Sequence, residues 1–207
     1  MRKNMRKIVK EGYERGDYAG TFRTTDKPNK MEERFLKKLI KLLPKNPHIL
    51  DFGCGIGIPF DKYLVEQGCR MTGIDISQKY INLAKKNVPK AEFIRGDFSK
   101  IKLKETFDAI ISFYAIFHIP REEHKELFLK MHTLLNNGGI ILVTLGTSGS
   151  EYGEEKDWAG ATMAWSTYEP KEYEKMIKDV GFTILEATFE GKPGDEEYHF
   201  WVLVKKK

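Results

Sequence analysis

The stretch Ile49-Leu50-Asp51-Phe52-Gly53-Cys54-Gly55-Ile56-Gly57 constrains this chain more than any other part of it. A short apolar run ends in an acid and breaks into glycines, the pattern of a strand that hands a nucleotide-like ligand to the start of a helix. Glycines let the backbone turn sharply and approach a ligand with no Cβ in the way, and Pro59 suits the first turn of the helix that follows. The spacing is G-x-G-x-G. A dinucleotide fingerprint would require G-x-G-x-x-G, and Ile58 stands where its last glycine would fall.

Companion features lie downstream at matching distances. A helix is predicted from Pro59 to about Gln67, ended by Gly68, and a strand from Cys69 to Ile74 closes on Asp75. An acid at that strand end, about twenty residues past the glycine loop, can accept both ribose hydroxyls of a nucleoside. Ser77 is placed to cap an amphipathic helix through Ile81, Leu83 and Ala84, and a third strand runs into Arg95-Gly96-Asp97-Phe98. A fourth, Phe107 to Phe113, leads into Tyr114-Ala115-Ile116-Phe117-His118. Then Leu134 to Gly139 reads as a helix end and turn before a fifth strand, Ile140 to Leu145. Strands alternating with helices imply an α/β fold with a parallel, doubly wound sheet and a ligand crevice at the carboxyl ends of its strands.

From about residue 31 to 146 this ordered set resembles the class I S-adenosylmethionine-dependent methyltransferases, in their small-molecule, type 11-like branch. The resemblance implies a Rossmann-like sheet of seven mostly parallel strands with an antiparallel C-terminal strand. It implies S-adenosyl-L-methionine as cofactor and methyl transfer to a small-molecule acceptor whose nucleophile, O, N, S or C, stays open. For cofactor binding it implies Asp51 at the loop and the methionine ammonium, and backbone from Gly53, Gly55 and Gly57. It also implies Asp75 with Ile76 at the ribose, Asp97 with Phe98 at the adenine, and the Phe113 carbonyl at the methionine amino group. Ser112-Phe113-Tyr114-Ala115 lacks the Asn/Asp-Pro-Pro-Tyr motif of the amino-methylating nucleic-acid enzymes. No acidic constellation of the catechol-methylating kind is present either, so no metal is expected.

His118 is the histidine nearest the expected reaction centre, and a neutral imidazole there is a candidate catalytic base; a structural histidine bonded to a nearby loop fits the position equally. Tyr18, Tyr114, Trp158, Trp165 and Tyr168, with Met163, are candidate walls of a substrate pocket, because rigid rings enclose a ligand at small entropy cost; each could instead anchor core or loop. Two alternatives share the glycine loop and acid: a nicotinamide-dependent oxidoreductase, and a methyltransferase-like module that binds the cofactor without turnover.

At 207 residues the chain suits one domain. Residues 1–30 read as an N-terminal flap, 31–146 as the cofactor-binding core, 147–168 as a substrate loop and 169–207 as a C-terminal helix and hairpin. Met31 to Leu43 and Glu122 to Leu135 carry helical apolar stripes, Pro170 begins a helix to about Val180, and Phe182–Phe189 and Tyr198–Val204 form the hairpin. The flap and substrate loop combine glycines with aromatics, and residues 10–30 and 147–167 are expected to close over the cleft as lids. No run approaches the roughly 18 apolar residues of a membrane span, and no apolar segment follows the charged N-terminus, so a soluble, cytoplasmic protein is expected. Cys54 and Cys69 lack metal-ligand spacing and no disulfide is expected. The formal charge of +5 is concentrated in Met1–Lys10 and Lys205-Lys206-Lys207, which solvated termini explain more simply than a nucleic-acid face. Neither a nucleic acid nor a membrane is expected as partner, and the oligomeric state stays open.

Overall fold

A computed structural model describes residues 5–195 and 198–207. Helices α1 (Met5–Arg15), α2 (Tyr18–Phe22) and α3 (Lys30–Leu42) precede the first strand. Next come β1 (His48–Phe52), α4 (Phe60–Glu66), β2 (Arg70–Asp75), α5 (Gln78–Asn87), β3 (Glu92–Arg95) and β4 (Phe107–Ser112). They are followed by α6 (His124–Leu134), β5 (Leu135–Leu145), the hairpin β6 (Gly153–Trp158) and β7 (Ala161–Trp165), α7 (Pro170–Asp179), β8 (Phe182–Glu190) and β9 (His199–Lys206). Local chemistry sets the boundaries. Asn29 and Glu32 form a reciprocal capping box at the start of α3, and Ser77 Oγ accepts from the Tyr80 N–H at the start of α5.

The seven-stranded sheet runs β3-β2-β1-β4-β5-β9-β8, with β1 to β5 parallel and β9 antiparallel to both neighbours. Alternation along each strand divides the core. Leu50, Phe52, Ile141 and Val143 face α6 and α7, whereas Ile49, Ile140 and Leu142 face α3 and α4. Each such fully buried side chain contributes about 1.5–3 kcal/mol, so the sheet is a rigid platform for what its strand ends carry. The strand order reverses between β1 and β4, and the glycine loop leaves β1 at that crevice.

Three segments depart from the sequence reading. Much of the expected flap is α1, whose buried residues Met5, Val9 and Gly12 recur at helical spacing among charges; its apolar side packs on Met163 and Ala164 of β7. Gly12 permits this contact, because a Cβ there would lie 2.7 Å from the Thr162 carbonyl oxygen. The expected loop 147–168 contains the β6–β7 hairpin, turned by Ala159 and Gly160, both with positive φ (49° and 81°). The turn expected before β5 is instead an irregularity within that strand: Leu135 pairs with Phe107 and Ile140 with Ala109.

Candidate active site

Beyond Phe52 the chain turns through Gly53, Gly55 and Gly57, with φ of 86°, 53° and 75°. Gly53 is required on two counts: its φ is positive, and a Cβ there would fall 2.4 Å from the Ala115 Cβ. The Gly53 and Cys54 amides donate to the Ile74 carbonyl at 2.8 and 3.1 Å, which fastens the loop to the end of β2. Asp75 follows directly. Its Oδ2 accepts from the Gly55 N–H at 3.0 Å and its Oδ1 from the Ser77 N–H at 2.8 Å, so each oxygen keeps capacity for a further donor. Burial raises its pKa to about 6 although those two hydrogen bonds oppose the shift.

On one rim Asp97 is engaged on both oxygens. Ser99 donates to Oδ1 from its N–H (2.9 Å) and its hydroxyl (2.7 Å), and Arg6 Nε donates to Oδ2 at 2.8 Å. The same guanidinium grips Glu123, at 2.5 and 2.9 Å. Arg6 therefore corrects the view of the N-terminal basic cluster as wholly solvated. Phe98 stacks on Phe52, with ring centroids 5.2 Å apart.

At the opposite end Asp51, 1% exposed, lines the cleft, and its buried Oδ1 meets no donor. Arg23 faces it from just beyond α2. Its guanidinium carbon lies 5.0–5.6 Å from the ring centroids of Tyr18, Phe60 and Tyr114, and its carboxylate neighbour Glu32 is 3.7 Å away. The Tyr114 hydroxyl lies 2.9 Å from Glu190 and 3.3 Å from Glu32, and burial beside these carboxylates drives its pKa far upward, so it stays a neutral phenol. A buried acid and a guanidinium thus stand on the two walls at this end.

The roof is aromatic. Trp158 of β6 stacks on Tyr18 (5.5 Å) and Phe22 (5.2 Å), while Tyr13 of α1 meets Tyr18, Tyr80, His118 and Trp158 edge-on. His118 Nδ1 is 2.8 Å from the Ala164 carbonyl oxygen, which can only accept, so the proton is assigned to Nδ1 and the lone pair to Nε2. Burial lowers its pKa to about 4, which keeps it neutral at physiological pH.

The cleft encloses about 850 Å³ of empty space, mouth included, and is lined by Tyr18, Asp51, Gly53, Gly55, Asp75, Ile76, Asp97, Phe98, Phe113, Tyr114 and His118. Other expected residues fall elsewhere. Gly57 backs onto Ala84, Val88 and Phe93, where a Cβ would make contacts of 3.1–3.4 Å. Trp158 belongs to the roof cluster. Trp165 does not wall the cleft: its indole lies over Gly153, its cross-strand partner. Tyr168 does not either, because Arg121 sits 4.9 Å over its ring and Tyr173 packs 5.7 Å away. Sequence reasoning missed Arg6, Tyr13, Arg23 and Tyr80, all cleft-lining. The available signal was the helical spacing of Met5, Val9 and Gly12, which sets Arg6 and Tyr13 on a docked helix.

A doubly wound sheet with a reversed final strand pair, a glycine loop at the switch point and an acid at the next strand end define the class I methyltransferase architecture. The residues fit the cofactor of that class: Gly55 lines the cleft with open space where a Cβ would stand, and Asp51, also lining it, has a buried Oδ1 with no donor. The methyltransferase domain family matches residues 49–139. An uncharacterized methyltransferase of Alkaliphilus oremlandii is 26% identical over 162 residues, covering 76% of this chain and 74% of that protein. Another, from Bacillus cytotoxicus, is 36% identical over 96 residues, so that the match spans 46% of this chain and 45% of that relative's length. In fold, the chain is similar to magnesium protoporphyrin IX methyltransferase from Synechocystis, solved with bound S-adenosylmethionine (TM-score 0.75, 15% identity, 99% of this chain and 98% of that one). Together these matches support S-adenosylmethionine-dependent methyl transfer, with S-adenosylmethionine as the methyl donor. These matches give no support to the oxidoreductase or to the non-catalytic module.

Proposed function

We propose that this enzyme methylates a small molecule held beneath the aromatic roof, with His118 Nε2 as the base that takes the acceptor's proton. The observation that carries this reading is the Nδ1 contact to Ala164, which leaves a neutral, lone-pair-bearing nitrogen on a residue that lines an otherwise mostly apolar enclosure. S-adenosylmethionine supplies an activated methyl carbon. The chain's own work is to orient the reactants and exclude water.

In the same proposal Asp75 and Ile76 take the ribose, Asp97 and Phe98 the adenine, and the glycine loop and Phe113 carbonyl the sulfur and amino end. Asp51 and Arg23 stand where they would receive the ammonium and carboxylate of the methionine moiety. Tyr13, Tyr18 and Tyr114 flank the acceptor, and Trp158 backs them. The closed roof supports a small acceptor over a folded nucleic acid, because an occupant must fit within the enclosure. Both cysteines are free thiols, in keeping with a reducing compartment such as the cytoplasm.

Calorimetry with S-adenosylhomocysteine, followed by a methylation screen of small amines, phenols, thiols and carboxylates with folded RNA as comparison, tests the reading. Turnover confined to small acceptors is expected. Efficient methylation of RNA, with none of the small acceptors, would overturn it.

A further inference from the structure

Asp61 lies in the first turn of α4 and is fully buried. Its polar neighbour is the carboxyl of Asp51, close enough for each to shift the other's titration, and both Asp61 oxygens are buried with no donor from the rest of the described residues. Two carboxyls in contact and removed from water cannot both be ionised, because neither solvation nor a cation offsets their repulsion. One of them must carry a proton into the contact. Asp51 opens onto the cleft and Asp61 does not line it. A cation arriving from the cleft therefore favours charge on Asp51 and leaves the shared proton on Asp61.

We propose that Asp61 is a positioning residue for methyl-donor binding: as a neutral acid it donates a hydrogen bond to Asp51, fixing that carboxylate with its other oxygen toward the ammonium of the donor. This rests on the placement of the ammonium at Asp51 under Proposed function. The charged and titratable groups around the pair are Asp75 from β2, which disfavours charge on Asp51, Arg23 from beyond α2, which favours it, and the Cys54 thiol, itself held neutral by burial. Without ligand, burial and their mutual repulsion hold both carboxyls well above the ordinary carboxylate range, so the pair keeps a displaceable proton near neutral pH. Binding the ammonium then ionises Asp51 and passes one proton to the buffer, so the charge gained by the site is balanced by the proton lost.

The test is calorimetry of S-adenosylhomocysteine binding at pH 7 in buffers of differing ionisation enthalpy, which counts the protons released. Wild type should release a clearly measurable fraction of a proton. Asp61→Asn keeps an isosteric N–H donor and removes the second acid. It should bind within about threefold of wild type and release almost no proton at pH 7, because Asp51 then ionises at lower pH. Asp61→Leu removes the donor and should weaken binding at least tenfold, while binding of 5′-methylthioadenosine, which lacks the amino-acid end, stays within twofold. A folded Asp61→Asn that binds at least tenfold more weakly, or releases as many protons as wild type, would overturn the proposal, whether or not Asp61→Leu folds. Asp51→Asn separates the two layers: if it leaves S-adenosylhomocysteine affinity unchanged, the ammonium is not at Asp51 and the underlying reading fails instead.

Discussion

The guanidinium of Arg6 is bound to the carboxylate of Asp97 at 2.8 Å, so the first helix is fastened to the loop after the third strand at the rim of the cofactor cleft. Both side chains are about one quarter exposed, which limits what the pair adds to global stability to roughly 1 kcal/mol. Its larger effect is local. Arg6→Ala should leave the sheet intact while the α1 amides exchange faster with solvent, as hydrogen exchange read by mass spectrometry would show. If α1 exchange is unchanged, the apolar contacts with β7 hold the helix by themselves.

A second prediction tests those contacts. Gly12→Val places carbon where the Thr162 carbonyl oxygen now lies 2.7 Å from the ideal Cβ position, and backbone cannot yield as a side chain can. We expect a loss of about 1–3 kcal/mol of docking energy, seen as faster limited proteolysis between α1 and α3 and a shift in Trp158 emission. Gly55, with open space around its Cβ position, is a poor control because its φ is positive; an exposed position such as Lys10 is a better one.

Asp75 supplies a pH dependence. Its pKa near 6 lies above that of a free aspartate, so it is protonated below pH 6 in the empty enzyme and a poorer acceptor for hydroxyl donors. The contribution of Asp75 to S-adenosylhomocysteine affinity, read as the difference between wild type and Asp75→Asn, should therefore rise with pH through about 6 and level off above it, with up to about tenfold per unit on the acid side. Asp75→Ala should weaken binding by roughly 1.5–3 kcal/mol. Titration calorimetry from pH 5 to 7 measures both.

His118→Asn offers an amide N–H to the Ala164 carbonyl while removing the basic nitrogen. Turnover should fall by about 10²-fold or more, with cofactor affinity little changed. Because His118 titrates near 4, it should contribute no inflection in kcat close to pH 6.5. Single-turnover rates across pH 5–9 decide this, and a variant retaining near-normal rates would make the histidine purely structural.

His124 is also buried and neutral, bonded to the Ile119 carbonyl at 3.0 Å and to the Tyr173 hydroxyl at 2.9 Å. Its folded pKa, about 4, lies below the unfolded value, so the unfolded chain binds the proton more tightly. The stability linked to this group is complete above about pH 6.5 and is lost as pH falls toward 4, by up to about 3 kcal/mol. Asp51, Asp61 and Asp75, with raised folded pKa values, act in the opposite direction, so the histidine must be isolated by difference. The gap in unfolding free energy between wild type and His124→Gln should narrow steadily from pH 7 to pH 4.5.

Sequence alone was most informative where backbone chemistry is local. The glycine loop, Asp75 and the cap at Ser77 state their geometry in a few adjacent residues, and the apolar strands follow from alternation and burial. The roof could not be read that way. Tyr13 and Trp158 are each ordinary aromatics in polar surroundings, and only tertiary packing brings them within 6.0 Å of each other. Trp165 and Tyr168 looked equivalent to Trp158 because composition does not reveal which side of a strand or turn a ring leaves from. Asp61 was unreadable for a related reason: an acid in a first helical turn usually faces solvent and the helix dipole, and its burial against Asp51 depends on how α4 leaves the glycine loop.

The meeting of Met5 and Val9 with Met163 and Ala164 also orders events during synthesis. The first helix leaves the ribosome with an apolar side whose partner is encoded only after the fifth strand. Until residue 165 has emerged, that side has no native surface to cover it, and it is free to contact chaperones or other nascent chains. The ceiling over the cleft is therefore a late arrival, closing above strands whose sequence was made before it.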